Sequence, residues 1–191
     1  MPETVTSSQS EPKRLVLGVC GSIAAYRAAE LASALTKESI QVDVILTEGA
    51  EQFITPLTFE ALTRRTVFTK KNDGIFQGQP THIALADHAD LVLIAPATAN
   101  VIAEYALGLA PDLLTGTLLA TPAPVVIAPA MNGKMWLHPA TQYNVETLKE
   151  RGVRFIGPDE GQLACGYEGI GRLWPVLDIA REILGILNAR F

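Results

Sequence analysis

Short, almost wholly apolar runs separated by helical stretches are the feature of this sequence that most restricts its fold. Four such runs are Arg14–Val19, Val42–Thr47, Leu91–Ala95 and Val125–Ala128, and Val153–Ile156 is a fifth. A strand that is apolar on both faces must be covered on both faces, and this is typical of a parallel sheet with helices on each side. Because crossovers between parallel strands are right-handed, the sequence predicts a doubly wound, three-layer α/β domain of the Rossmann or flavodoxin-like class.

Helical stretches between the runs complete this pattern. Thr55 and Pro56 predict the cap and first residue of a helix that continues to about Thr63. The glycine-containing stretches 70–81 and 157–172 are predicted to be loops, the first of them mobile. The other predicted helices cover residues 23–35, 82–89, 99–109, 112–120, 141–151 and 176–187. We expect one domain over residues 14–191, after a disordered N-terminal tail of residues 1–13.

The composition argues against several classes of function. The chain has 191 residues and a net charge of −5, whereas a general nucleic-acid binder needs a basic face, so no nucleic-acid partner is expected. No apolar run reaches the roughly 18 residues of a membrane span, and the polar N-terminus lacks the apolar core of a signal peptide. The two cysteines, Cys20 and Cys165, form neither a disulfide framework nor a metal motif. The sequence therefore predicts a cytoplasmic protein without a membrane segment or a metal site.

The turn after the first strand has the composition of a phosphate site. Gly21 and Ser22 follow that strand and open a helix, whose N-terminal N–H groups attract an anion. A serine-capped turn without a ligand is the alternative for these two residues. A dinucleotide site is a weaker alternative, because the glycine pattern is incomplete, although Glu48 follows the second strand as a ribose-binding acid would. Thr47 beside it offers a hydroxyl to the same phosphate.

Two further loops follow strands at the edge where such folds bind ligands. The stretch Pro96–Asn100 combines small residues, against which a flat ring can lie, with two hydrogen-bonding side chains; a helix cap at Thr98 is the alternative. The stretch Pro129–Trp136 is apolar but holds Asn132, an uncharged amide that can donate to a carboxylate. The alternative interpretation of this stretch is that its apolar residues fill the core and that Asn132 lies in a turn. Together the loops predict one site at the carboxyl ends of the strands.

These segments resemble the homo-oligomeric, flavin-containing cysteine decarboxylases, and the similarity spans about residues 14–187. Five motifs in order carry the resemblance: Gly21–Tyr26; His82 followed by Ala89-Asp90-Leu91; Pro96–Asn100; Pro129–Trp136; and Leu163–Gly166 with Gly169–Arg172. The last of these is typical of the members that act on small molecules. The resemblance implies FMN as cofactor, a trimer or an assembly of trimers, and conversion of phosphopantothenoylcysteine to phosphopantetheine in coenzyme A biosynthesis.

The resemblance also implies roles for individual residues. His82 and Cys165 correspond to the family's catalytic histidine and to its late proton donor. Asn132 corresponds to the amide that binds the substrate carboxylate, with Met135, Ala164 and Arg172 as further substrate contacts. The implied FMN-binding residues are Gly21, Ser22, Ile23, Thr47, Ala97, Thr98, Ala99, Asn100 and Ala130. In such a reaction the flavin first oxidises the thiol carbon, and the resulting thioaldehyde accepts the electrons of decarboxylation.

Each of these residues also has an ordinary structural interpretation. His82 alone could cap a helix, and Cys165 alone could be a small buried apolar residue, the role expected for Cys20. His88 and His138 are expected to be surface or capping residues. Asp87 stands where the family often has a basic residue, which puts substrate contacts in that helix in doubt. The other functions considered are a peptidyl-cysteine decarboxylase, a flavin prenyltransferase and a non-catalytic FMN-binding or regulatory subunit.

Overall fold

The computed structural model describes residues 12–164, 166 and 168–189. Six strands form one sheet in the order β3-β2-β1-β6-β7-β8, and every neighbouring pair is parallel. The strands are β1 (Arg14–Val19), β2 (Gln41–Leu46), β3 (Val67–Phe68), β4 (Ile75–Phe76), β5 (Gln79–Pro80), β6 (Leu91–Ala97), β7 (Val125–Pro129), β8 (Arg154–Phe155), β9 (Asp159–Gln162) and β10 (Glu168–Arg172). The parallel α/β sheet confirms the predicted fold class.

Helices cover both faces of this sheet. They are α1 (Ala25–Lys37), α2 (Pro56–Thr63), α3 (Thr81–His88), α4 (Ala99–Ala106), α5 (Leu113–Ala120), α6 (Gly133–Trp136), α7 (Pro139–Glu150) and α8 (Val176–Asn188). Leu15 and Leu17 of β1 pack in the cluster that contains α1, α2 and α8. Val16 between them packs in the cluster that contains α4, α5 and α7. Alternate strand residues thus face opposite helical layers, as the apolar runs require.

The sheet differs from the predicted one in extent. Five strands were expected, and the sixth, β3, is an edge strand of two residues, too short to leave a pattern in the sequence. Pro96 and Pro129 were expected to stop their strands, yet β6 continues through Pro96 to Ala97, and β7 includes Pro129 as its last residue. Proline lacks an N–H but keeps its carbonyl, and Pro96 O accepts a hydrogen bond from the backbone N–H of Cys20 at 3.1 Å.

Both predicted loops contain short antiparallel hairpins. Strands β4 and β5 pair within residues 70–81, and β9 pairs with β10 within the glycine-rich segment. These strands have only two to five residues, too few to show a clear hydrophobic period, so the sequence pattern did not predict them. The helix ends differ by a few residues: α1 begins at Ala25 rather than Ile23, and α4 ends at Ala106 rather than Leu109.

The predicted N-terminal tail, residues 1–13, lies almost wholly outside the described residues. Within the described part of the chain, none of the helices has the length and apolar character needed to cross a bilayer. The parallel arrangement brings the loops after β1, β2, β6 and β7 to the same edge of the sheet. That edge is where the sequence predicted a site.

Candidate functional site

A cavity of about 380 Å³ lies at the carboxyl ends of β1 and β7. Three segments form its walls. The turn after β1 and the start of α1 contribute residues 22–24, 26 and 27, the loop after β7 contributes residues 130–132, and the β9–β10 hairpin region contributes residues 162–164 and 171–173. This volume lies within the range of small-molecule sites, about 300 to 1,000 Å³. Six predicted site residues meet here: Ser22, Ile23, Ala130, Asn132, Ala164 and Arg172.

The turn after β1 depends on a close approach between two loops. A Cβ atom on Gly21 would lie 2.9 Å from the carbonyl carbon of Gly49, so only glycine allows the turns after β1 and β2 to meet. Beyond it, Ser22 Oγ accepts a hydrogen bond from the backbone N–H of Ala24 at 3.3 Å. Ser22 therefore supports the turn and lines the cavity, but it does not cap α1, whose N-cap is Ala24 without a side-chain cap bond. The phosphate contact of Ser22 stays a prediction.

Thr47 lies at the same sheet edge but not on this cavity. Its hydroxyl is 3.3 Å from Val19 O, to which it donates, and 3.3 Å from the backbone N–H of Ala50, from which it accepts. It lines a neighbouring cavity of about 240 Å³ together with Glu48 and Asp112. The predicted phosphate contact of Thr47 stays a prediction.

The loop after β6 also stays outside the described cavity. Ala97 is fully buried, and its carbonyl accepts a hydrogen bond from Ala130 N–H at 2.9 Å, which ties this loop to the one after β7. Thr98 caps α4, with its side chain accepting from Val101 N–H. Ala99 and Asn100 form the first turn of α4. The cap that we considered for Thr98 is present, and the role of these four residues in binding a ring stays a prediction.

The loop after β7 holds Asn132 in a defined orientation. Asn132 is the N-cap of α6, and its Oδ1 accepts a hydrogen bond from the backbone N–H of Lys134 at 2.9 Å. Since the amide oxygen faces a backbone donor, the NH₂ group is the part of this side chain that can donate to a ligand. Met135 is half exposed and does not line the cavity of this chain, and its predicted substrate contact stays a prediction.

The hairpin β9–β10 packs directly on that loop. The backbone N–H of Met131 donates to Gly171 O at 2.9 Å, and Gly171 has a φ of +133°. A Cβ atom on Gly171 would lie 2.2 Å from Met131 O, so the contact excludes every other residue. The adjacent residue, Arg172, is thereby brought to the cavity.

Arg172 is held by residues of the opposite hairpin strand. Its Nη2 lies 2.5 Å from Asp159 Oδ2, and its guanidinium lies across Gly161, where a Cβ atom would be 2.9 Å from Arg172 Cζ. The hydrogen bond from Arg172 holds the pKa of Asp159 below its usual value. Asp159 therefore stays ionised at neutral pH and compensates the charge of Arg172.

The two predicted catalytic residues are not brought together within this chain. His82 lies on α3 and faces α5, where a Cβ atom on Gly116 would be 3.5 Å from His82 Cβ. Helix α3 covers the opposite face of the sheet from α1, and His82 does not line the cavity. Cys165 lies outside the described residues, between Ala164 on the cavity wall and Gly166. The catalytic roles of both stay predictions.

Three other residues behave as expected from the sequence. Cys20 is buried, and that burial raises the pKa of its thiol to about 12, which confirms its role as a small core residue. His138 caps α7, with Nδ1 3.2 Å from the backbone nitrogen of Ala140. His88 Nδ1 lies 2.6 Å from Ala84 O at the exposed end of α3.

Sequence reasoning missed several lining residues, notably Tyr26, Arg27, Gln162 and Leu173. Arg27 follows Ile23 by four residues, and positions four apart lie on one side of a helix. Applying this spacing to the helix predicted over residues 23–35 would have identified Arg27 as a candidate site residue. Gln162 and Leu173 reach the cavity only because the glycine-rich segment folds back as a hairpin, which no local sequence pattern predicted.

Comparison with known protein sequences identifies a family and similar curated proteins. A family model described as Flavoprotein matches residues 3–188. The chain is 51% identical over 164 residues to the coenzyme A biosynthesis bifunctional protein CoaBC of Bacillus subtilis (strain 168), which covers 84% of this chain and 40% of that protein. The chain therefore spans about two-fifths of the length of this curated relative.

Several solved structures have the same fold as this chain. A PPC decarboxylase variant complexed with pantothenoylaminoethenethiol is 29% identical, with a TM-score of 0.86, covering 93% of this chain and 99% of that chain. The FMN-dependent cysteine decarboxylase SpaF is 35% identical, with a TM-score of 0.77, covering 91% and 97% of the two chains. Both share the three-layer arrangement described above.

Proposed function

This chain belongs to the flavoprotein family, and from that premise we propose that it binds FMN and decarboxylates phosphopantothenoylcysteine to phosphopantetheine in coenzyme A biosynthesis. Similarity to the bifunctional coenzyme A protein of B. subtilis and to the PPC decarboxylase structure supports this substrate. The proposed enzyme is a carboxy-lyase that acts in the cytoplasm. The observation that carries the proposal is the cavity in which Asn132 and the turn after β1 face the same space.

The residues at the edge of the sheet fit FMN. The close approach at Gly21 leaves Ser22 and Ile23 on the cavity wall, where the start of α1 suits a phosphate. Ala130 leaves room for a flat ring, and Thr47, Ala97, Thr98, Ala99 and Asn100 are proposed to complete the site. When bound, the flavin supplies a two-electron oxidation of the substrate thiol and the later return of those electrons.

Asn132 is proposed to bind the carboxylate that leaves as carbon dioxide. An uncharged amide orients this group without the strong ground-state stabilisation that a lysine or arginine would give. The bond from Lys134 N–H to Asn132 Oδ1 orients the side chain, and its NH₂ group is the donor that we propose for the substrate carboxylate. Met135, Ala164 and Arg172 are proposed to contact the rest of the substrate.

His82 and Cys165 are proposed to handle protons. An imidazole can accept or donate a proton, and a thiol can deliver its proton to an enethiolate carbon. In the proposed trimer, the cavity of one chain meets helix α3 of another. His82 of one chain then contributes to the cavity of its neighbour. Exposed apolar residues at the cavity mouth support such an interface: Ile23 is 57% exposed and Tyr26 is 65% exposed.

Analysis of the products by mass spectrometry tests the proposed function. Purified protein incubated with phosphopantothenoylcysteine should be yellow with FMN and should form phosphopantetheine, 44 Da lighter than the substrate because one carbon dioxide is lost. Decarboxylation of a peptide with a C-terminal cysteine, but not of phosphopantothenoylcysteine, would favour the alternative that the similarity to SpaF supports. A colourless protein that takes up no FMN, or one that leaves both substrates unchanged, would contradict the proposal.

The role of Cys165 has its own test. Cys165→Ser should still release carbon dioxide but should accumulate an enethiol product, two mass units lighter than phosphopantetheine, because the final protonation fails. Cys20→Ser is the matched control, since Cys20 is buried beneath the turn rather than on the cavity wall. A normal yield of phosphopantetheine from Cys165→Ser would remove Cys165 from the mechanism.

A further inference from the structure

We propose that Arg27 binds the phosphomonoester end of the substrate and so selects phosphorylated over unphosphorylated substrates. This assignment rests on the proposed function and adds a specificity-determining residue to it. It rests on the position of Arg27, on the charge balance of the cavity and on the chemistry that the two ends of the substrate require.

The first observation is the position of Arg27. It lies in the first turn of α1, is half-buried and lines the cavity beside Ser22 and Ile23. Its Nη1 donates to Leu173 O at 3.4 Å, a long hydrogen bond that draws the guanidinium toward the segment after β10. A half-buried guanidinium on a cavity wall is less screened by water than one on the open surface.

The second observation is the charge balance of the cavity. Arg27 and Arg172 are the charged residues among its described lining residues, and no carboxylate joins them there. Asp159, just behind the wall, forms an ion pair with Arg172. Among the described residues, no direct ion pair joins Arg27 to a carboxylate, but its charge also acts on Asp159 and helps to lower the pKa of that carboxyl. Two arginines thus share one carboxylate, and the charged groups at the cavity have a net positive charge.

The third step is chemical. The substrate carries a carboxylate that must leave and a phosphate that does not react. A strong cation at the carboxylate would stabilise the ground state, so it is useful only at the unreactive end. A guanidinium matches a phosphate with two parallel N–H donors, and its binding energy then holds the whole substrate in place. In the proposed arrangement, the neutral Asn132 binds the carboxylate, and Arg27, which has no direct ion pair among the described residues, binds the phosphate.

The test compares two substrates that differ only in the phosphate. The kcat/KM values for phosphopantothenoylcysteine and pantothenoylcysteine are measured for the FMN-loaded wild type, Arg27→Gln and Arg27→Lys. Loss of a charge-assisted hydrogen bond predicts a fall of about tenfold to a hundredfold for the phosphorylated substrate in Arg27→Gln, mainly through KM. We expect little change for pantothenoylcysteine and partial recovery in Arg27→Lys. Arg181→Gln, an exposed residue of α8 paired with Asp178, is the matched control.

Three results would overturn the assignment. An equal fall for both substrates would place Arg27 away from the phosphate. Loss of FMN but not of riboflavin from Arg27→Gln would assign Arg27 to the phosphate of the cofactor instead. If wild-type protein decarboxylates neither compound, the proposed function fails. The role of Arg27 in binding a phosphate is then tested separately, by titration of the FMN-loaded protein with phosphopantothenate and pantothenate. Equal affinity of the wild type for these two ligands would reject its role in phosphate binding.

Discussion

At the scale of single residues, the structure separates side chains that support the fold from side chains that face a ligand. Asn132 does both, because its amide oxygen caps α6 while its side chain lines the cavity. Cys20 does only the first, since it is buried between the turn after β1 and the loop after β6. Side chains at the same edge of the sheet therefore differ in role because of their burial and of the partners that the fold gives them.

Asn132→Asp should nearly abolish substrate binding. A carboxylate at this position keeps the cap on α6, because its oxygen can still accept from Lys134 N–H, but it repels the substrate carboxylate. We expect KM to rise by roughly a hundredfold or more, with FMN content and melting temperature close to those of the wild type. Asn188→Asp, on the exposed end of α8, is the control for added charge. Unchanged turnover in Asn132→Asp would remove Asn132 from the substrate site.

The thiol of Cys20 should resist alkylation in the folded protein. Its pKa of about 12 leaves almost no thiolate below pH 9, whereas an unfolded cysteine with a pKa of about 8.5 ionises there. Iodoacetamide at pH 8.5, followed by mass spectrometry of the peptide, should show modification only after denaturant is added. Because the folded pKa is raised, stability should also fall as the pH rises above about 8.5. Rapid labelling of Cys20 in the native state would contradict this account of its burial.

At the scale of elements, the β9–β10 hairpin forms one wall of the cavity. It contacts the loop after β7 through the bond from Met131 N–H to Gly171 O, and it carries Arg172 and its partner Asp159. The wall therefore depends on backbone contacts at glycine positions rather than on a large apolar surface. Changes in those glycines should affect the site more than the rest of the fold.

Gly171→Ala should displace this hairpin. The added Cβ would lie 2.2 Å from Met131 O, at a φ of +133° that other residues rarely adopt. We expect a loss of about 3 kcal/mol in the free energy of unfolding, or a local shift of the hairpin, with a higher KM in either case. Gly185→Ala is the matched control, because it lies within α8 with open space around it and should stabilise the protein by about 0.5 to 1 kcal/mol. Denaturant unfolding and steady-state kinetics of both variants measure the difference, and identical effects would refute the close contact.

At the scale of the whole molecule, His82 does not line the cavity of its own chain. Ile23 and Tyr26 line the cavity with largely apolar side chains, and both residues are more than half exposed. Surfaces of this kind favour association between chains. We therefore propose that the predicted site residues meet in an assembly of identical chains.

Light scattering after size-exclusion chromatography should give the mass of a trimer or of a multiple of trimers of the 20.5 kDa chain. Tyr26→Glu, which places a charge on the exposed apolar surface, should shift the protein toward smaller species and lower its activity. Tyr143→Glu, on the exposed face of α7, tests whether the effect is specific to the cavity mouth. A monomeric wild type with full activity would rule out a shared site.

The order of strands and helices followed from the sequence because each apolar run had to be covered on both faces. The same periodicity located the loops after β1, β6 and β7, since parallel strands end at one edge of the sheet. Family resemblance then directed attention to Ser22, Ile23, Ala130, Asn132, Ala164 and Arg172, which line one cavity.

Other features were decided only by contacts between residues far apart in the chain. Strand β3 exists because of its backbone hydrogen bonds to β2, and the β9–β10 hairpin is positioned by the bond from Met131 N–H to Gly171 O, which joins segments far apart in the chain. The Asp159–Arg172 pair forms only when that hairpin folds, and the bond from Arg27 to Leu173 O then places a second guanidinium near the same carboxylate. Hydrophobic periodicity thus specified the layers, whereas the charge distribution of the site depended on how tertiary packing paired its polar groups.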